Sequence, residues 1–213
     1  MALDFKSMST EKKIALCGAA VAALFSFVAF IIALTPPATQ EGILKAFFSS
    51  KGGNPFGGYN WVTVLLFIAS LGFAAIMYVK AAPSKLIPAI PFKLVTPAVV
   101  ALTGLFAMLY LHIGKETGGF LAEKGTAWGV FLLIFVIAEI AIFALNVFEK
   151  KDNIKDALAD IIFLVAAVLL FILTIIALAT PDGSLVGYKL FLIFYTIACL
   201  CYAGFVCFKE IKE

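Results

Sequence analysis

One carboxyl group stands at the centre of a long apolar run. Residues 127–148 read AWGVFLLIFVIAEIAIFALNVF, bounded by Trp128 at one end and Glu149-Lys150-Lys151 at the other, and Glu139 is the only charge between them. At about 1.5 Å of rise per residue, a helix over this run crosses a hydrocarbon layer about 30 Å thick, with Glu139 near the midplane. A carboxyl at that depth costs about 2.5 kcal/mol or more unless it is paired, hydrated or protonated. The run therefore constrains the chain twice, once in where the helix goes and once in what Glu139 meets there.

Five further stretches have the same character, so that apolar spans are expected over residues 14–35, 61–79, 94–113, 127–148, 157–179 and 188–208. The composition agrees, with 63% apolar and 14% charged residues and a mean hydropathy of +1.10, against roughly a quarter charged in soluble domains. The expected fold is an all-α integral membrane protein, a six-transmembrane-helix bundle forming one domain over residues 1–213. The first span is too long for the apolar region of a cleaved signal, about 7 to 15 residues, and is read as a retained helix.

With no arginine in the chain, lysines set the orientation. Eleven of them fall on the side of the N-terminus and five on the other (Lys45, Lys51, Lys115, Lys124 and Lys189). The positive-inside rule then places both termini in the cytoplasm, in a plasma (inner) membrane. Trp61, Trp128 and Tyr188 fall at the outer boundary, where amphipathic rings anchor helices. Topology accounts for the net charge of +3; no basic cluster interleaved with aromatics remains for a nucleic acid.

The chain reads as three helical hairpins in pseudo-repeat, over residues 13–83, 93–155 and 156–213. Second helices share Ile68-Ala69-Ser70-Leu71, Ile137-Ala138-Glu139-Ile140 and Ile197-Ala198-Cys199-Leu200. First helices of the outer hairpins share Val21-Ala22-Ala23 with Val165-Ala166-Ala167, and each ends at a Thr-Pro, Thr35-Pro36 and Thr180-Pro181. Midpoints between flanking polar markers put Ser70, Thr103, Glu139 and Cys199 at one depth, with Ser26 a turn away, so these are the expected midplane partners of the carboxyl.

Along the face of Glu139, Leu132, Phe135, Val136, Ile142 and Phe143 are apolar, whereas Asn146, Glu149 and Lys150 continue it with polar groups towards the cytoplasm. Asp156 and Asp160, spaced i, i+4 at the entry of the fifth span, are expected to cap that helix or to attract cations there. His112 has no second ligand at helical spacing and reads as interfacial, and no metal site or cofactor is expected. Cys17, Cys199, Cys201 and Cys207 all fall in spans; Cys199 and Cys201 point apart on a helix and read as packing residues.

Ala15, Ala19 and Ala23, with Gly18 and Ala22 beside them, form a small-residue ridge that allows close helix approach. The outer segment 40–60 is expected to rest on the membrane through Ile43, Leu44, Phe47 and Phe48. Pro83, Pro88 and Pro91 should keep residues 81–93 extended. In span count, length, cytoplasmic termini and this ridge the chain resembles the substrate-binding subunits of energy-coupling vitamin transporters; no diagnostic motif accompanies the likeness, and no family follows from it.

Nucleophile elbows, His-Glu-x-x-His and phosphate-binding glycine loops are all absent from the sequence, so an enzyme is not expected. Two functions fit. In one, the chain is a small transporter or channel-type subunit in which Glu139 binds a proton or cation and Asn146 lines its route. In the other it is a non-catalytic accessory or scaffold subunit of a larger membrane complex. Beyond the lipid bilayer, the expected partners are other membrane subunits or a second copy of the chain.

Overall fold

A computed structural model of the chain describes residues 8–34, 60–110 and 125–179. Among them every regular element is a helix: α1 (Thr10–Leu34), α2 (Asn60–Lys80), α3 (Phe92–Met108), α4 (Gly125–Glu149) and α5 (Ile154–Ala179). The expected sixth span, the outer segment 40–59, His112, Cys199, Cys201 and Cys207 lie outside the described residues. Two helices, over Thr10–Ile31 and Ala127–Glu149, are long and apolar enough to cross a membrane; Val64–Lys80 and Phe92–Met108 are shorter apolar helices.

Helix ends follow local chemistry. Ser9 opens α1, its hydroxyl accepting the Lys12 N–H at 3.3 Å and its carbonyl the Lys13 N–H; a hydroxyl there satisfies one of the four orphan donors of a first turn. The proline-bearing connection between α2 and α3 is not helical, but neither is it extended throughout as expected: it bends at Lys85 and Leu86 and turns near Pro88, where the Ile90 N–H donates to the Ile87 carbonyl, before α3 starts behind Pro91. Asn153 opens α5, with its carbonyl accepting from Asp156 and Ala157 and its amide donating to Asp156 Oδ2 at 2.6 Å.

Consecutive helices pack side by side, α1 on α2, α2 on α3, α3 on α4 and α4 on α5. The α1–α2 seam is made of small residues: Ala15, Ala19, Ala22, Ser26 and Ala29 are completely buried along one stripe. A Cβ added to Gly18 would sit 2.7 Å from the Gly72 carbonyl oxygen, and one added to Gly72 would sit 2.6 Å from that of Gly18. Here the two backbones touch, which only glycine permits.

Of three interior apolar clusters among the described residues, the smallest joins Phe92, Val99 and Ile142, and two are larger. One joins Ala19, Ala22, Phe73, Ile76, Val100, Phe143 and Phe163, drawing on all five helices. The other joins Ala29, Tyr110, Leu132, Val136 and Leu170, next to a stack of Phe106 on Phe131 and Phe135 at 5.3 and 5.2 Å. Large apolar side chains also cover the outside: Leu24, Phe27 and Ile31 on α1, Ile134 and Ile137 on α4, and Val165, Ile172 and Ile175 on α5 are exposed.

Every lysine among the described residues gathers at one end of the bundle, which we call the basic end. Lys93 pairs with Glu11 at 3.8 Å, bringing the starts of α1 and α3 together. Glu149 reaches the α2–α3 connection, and Lys150 reaches α5.

Candidate functional site

Between the two larger apolar clusters lies a polar layer. Ser26 of α1, Ser70 of α2, Thr103 of α3 and Glu139 of α4 are all buried, with Glu139 only 3% exposed. Inter-helix contacts define their register. The pairs Phe143 with Phe163, Asn146 with Asp160 and Gly129 with Leu178 run α4 against α5 antiparallel and put Ala166 and Ala167 opposite Glu139. On the other side, Val99 clusters with Ile142, and Phe106 stacks on Phe135, which puts Thr103 opposite Glu139.

The Thr103 hydroxyl is in hydrogen-bonding contact with the Glu139 carboxyl. It also donates to its own helix, to the Val99 carbonyl at 2.9 Å. Ser70 donates to the Phe67 carbonyl at 2.7 Å, and a Cβ on Gly104 would overlap the Ser70 side chain. Gly104 thus lets α3 approach α2 at this depth. Two buried polar atoms have no hydrogen-bond partner among the described residues, Glu139 Oε2 and Ser26 Oγ. Buried polar atoms are nearly always bonded, so each such exception calls for a cause.

The Glu139 face does not run on to Asn146 as a continuous polar strip. Phe143, completely buried, stands between them. Its ring stacks on Phe163 at 4.8 Å, and Phe163 meets Phe73 edge-on at 5.2 Å. Three rings from α2, α4 and α5 thereby form an aromatic seal on the basic side of the carboxyl. On the opposite side Val136 and Leu132 are equally buried.

Beyond the seal, Asn146, Lys150 and Asp160 form one cluster. Asn146 Nδ2 donates to Asp160 Oδ1 at 3.1 Å, and Lys150 Nζ donates to Asp160 Oδ2 at 2.6 Å. Asp156 stays outside this group, exposed and bonded to Asn153. The two aspartates thus do different work: Asp156 belongs to the helix start, and Asp160 is a buried partner of α4.

Glu149 leaves the path and clamps the α2–α3 connection. Its Oε1 accepts from the Ser84 hydroxyl and from the N–H groups of Lys85 and Leu86, at 3.1 and 3.2 Å. Ser84 Oγ in turn accepts the N–H groups of Leu86 and Ile87, both at 3.1 Å. No local pattern announces this clamp, since its partners lie 65 residues apart; the aromatic seal is equally hidden among the 22 phenylalanines of the chain.

Among the described residues no three His, Cys, Asp or Glu side chains cluster as a metal site would require. No family model, curated protein or solved structure matches the chain.

Proposed function

We propose that this chain is a multi-pass helical membrane protein, a small transporter or channel-type subunit in which Glu139 holds an exchangeable proton at the bilayer midplane. The distribution of side chains supports the membrane setting. Alanines, glycines and hydroxyls line the α1–α2 seam, while isoleucines, leucines and phenylalanines face outwards. That pattern suits lipid, where helices associate through close packing of small residues. The collected lysines suit a cytoplasmic basic end, with the N-terminus on that side in a plasma (inner) membrane.

The observation that carries the site is the orphaned Glu139 Oε2 beside Thr103. Thr103 has one proton, and its hydroxyl is directed to the Val99 carbonyl. A carboxyl that donates to the same oxygen completes a chain from Glu139 through Thr103 to Val99 and leaves only its Oε2 without a partner. In that arrangement the carboxyl is neutral, the form that hydrocarbon tolerates. Ser26 Oγ supplies a further unsatisfied group in the layer for a hydrated or deprotonated state.

The test is proton flux into reconstituted vesicles carrying a pH-sensitive dye. Wild type should conduct under an imposed potential, and Glu139→Gln should abolish flux while keeping helical content. Unchanged flux in the variant, or none from pure wild type, would sink the proposal. The Glu139–Thr103 contact between α4 and α3 is the observation behind a second reading, that of an accessory or scaffold subunit in which the carboxyl holds helices together.

A further inference from the structure

We infer that Phe143 gates proton exchange between Glu139 and the Asn146–Lys150–Asp160 cluster at the basic end. This rests on Glu139 holding a proton, and it adds the route and the barrier. Asn146, the next inward position on the Glu139 face after Phe143, is bonded to Asp160, a carboxylate that touches the partly exposed Lys150 ammonium. A proton has an acceptor on each side of the seal and an apolar layer in between. The seal is built of phenyl rings in stacked and edge-on contact with no polar atom, so a water entering it gives up most of its hydrogen bonds.

Opening is a local event. Rotation of the Phe143 ring away from Phe163 admits one water, which takes the Glu139 proton and releases one of its own to Asp160. Glu139 is left as the carboxylate, Asp160 becomes neutral, and the water is unchanged. Lys150 then loses the negative charge that holds it, while Thr103, Ser26 and Ser70 are the polar groups facing the layer from α3, α1 and α2. The remaining neighbours at this depth, Ala166 and Ala167 on α5, are uncharged. Of the two apolar boundaries of the polar layer, only this one has a charged acceptor among the described residues one helical turn beyond it.

The experiment is infrared spectroscopy of the purified full chain in lipid, following the carbonyl stretch of a protonated carboxylic acid after transfer to deuterated water. The band should be present in wild type and missing in Glu139→Gln. Its isotope shift should be slow in wild type and at least about tenfold faster in Phe143→Ala, where water enters with less loss of bonding. Phe143→Leu, which keeps an apolar side chain but loses the stacking, should lie between and guards against a folding defect in the alanine variant. Ile142→Ala opens space at the same depth on the α3 side and should exchange at the wild-type rate. If the band is present but neither Phe143 variant exchanges faster, or Ile142→Ala exchanges as fast as Phe143→Ala, the gate is overturned. Absence of the Glu139 band in wild type would instead overturn the proton-holding reading on which it stands.

Discussion

Gly72→Ala is the sharpest test of the packing described for α1 and α2. The new methyl would lie 2.6 Å from the Gly18 carbonyl oxygen and 2.8 Å from the Ala22 nitrogen, where ordinary contact begins at 3.4 Å. The shortfall is therefore 3.4 minus 2.6, or 0.8 Å, against backbone atoms that no rotamer can move. Relief requires the helices to separate, and a gap of 0.5–1 Å forfeits about a quarter to a half of each dispersion contact. For roughly 20 atom pairs at about 0.15 kcal/mol each, that loses about 1 kcal/mol along the seam. Residual strain adds about 1–3 kcal/mol, while replacing glycine by alanine within a helix returns about 1 kcal/mol. The expected net loss is about 1–3 kcal/mol. Gly129→Ala is the internal comparison. Its methyl would meet Leu178 Cδ2 at 2.7 Å and Tyr110 Cε2 at 2.9 Å, both outer atoms of side chains. A Leu178 methyl swings aside at little cost, so the variant should stay within about 1 kcal/mol of wild type. Equilibrium unfolding by SDS in mixed micelles, followed by circular dichroism, measures both. A Gly72→Ala protein as stable as wild type, or a Gly129→Ala protein that suffers more, would refute backbone contact as the basis of the seam.

Two other substitutions probe the clamp and the buried carboxyl. Glu149→Ala removes the acceptor shared by Ser84, Lys85 and Leu86, so trypsin should cut after Lys85 much faster in lipid nanodiscs with global stability nearly unchanged; equal cleavage would show that the clamp does not order the connection. Glu139→Leu replaces a partly unsatisfied buried carboxyl with an apolar side chain, and in the SDS assay should stabilise the protein by about 1–3 kcal/mol. A loss of stability instead would mean that the carboxyl serves as packing glue.

Different physical information separates what could be read along the chain from what could not. The helices over Thr10–Leu34 and Gly125–Glu149 follow from uninterrupted apolar runs between charged or turn-forming segments, and the irregular connection after Lys80 follows from its prolines. Residue spacing also sets an expected relative depth for Ser26, Ser70, Thr103 and Glu139, since rise along a helix is nearly constant. Which helix stands beside which is another matter. For helices in lipid, as proposed for this chain, the hydrophobic period carries little direction, because lipid and interior are equally apolar. The small-residue stripe on α1 and the glycines at 18, 72 and 104 are the signals that survive, marking where backbones approach. The Thr103 contact, the Phe73–Phe143–Phe163 seal and the Glu149 clamp depend on rotation and register between helices distant in sequence, and no local pattern encodes those.

The energetic position of Glu139 bears on why the residue is there. One hydrogen bond between uncharged partners contributes about 1 kcal/mol, less than the roughly 2.5 kcal/mol that a carboxyl adds to the insertion of a helix centre. Thr103 alone therefore does not offset the carboxyl, and Oε2 adds a second uncompensated atom. Packing needs would be met more cheaply at this position by leucine, or by a hydroxyl such as those of Ser26 and Ser70, which already occupy the same layer. What a carboxyl supplies beyond a hydroxyl is a proton that can leave. On the proposed reading, a residue that costs stability and has one apolar boundary between it and each end of the bundle is placed to control when that proton is lost. On this argument the seal is part of the site, because without it the carboxyl would be hydrated and continuously equilibrated with one side.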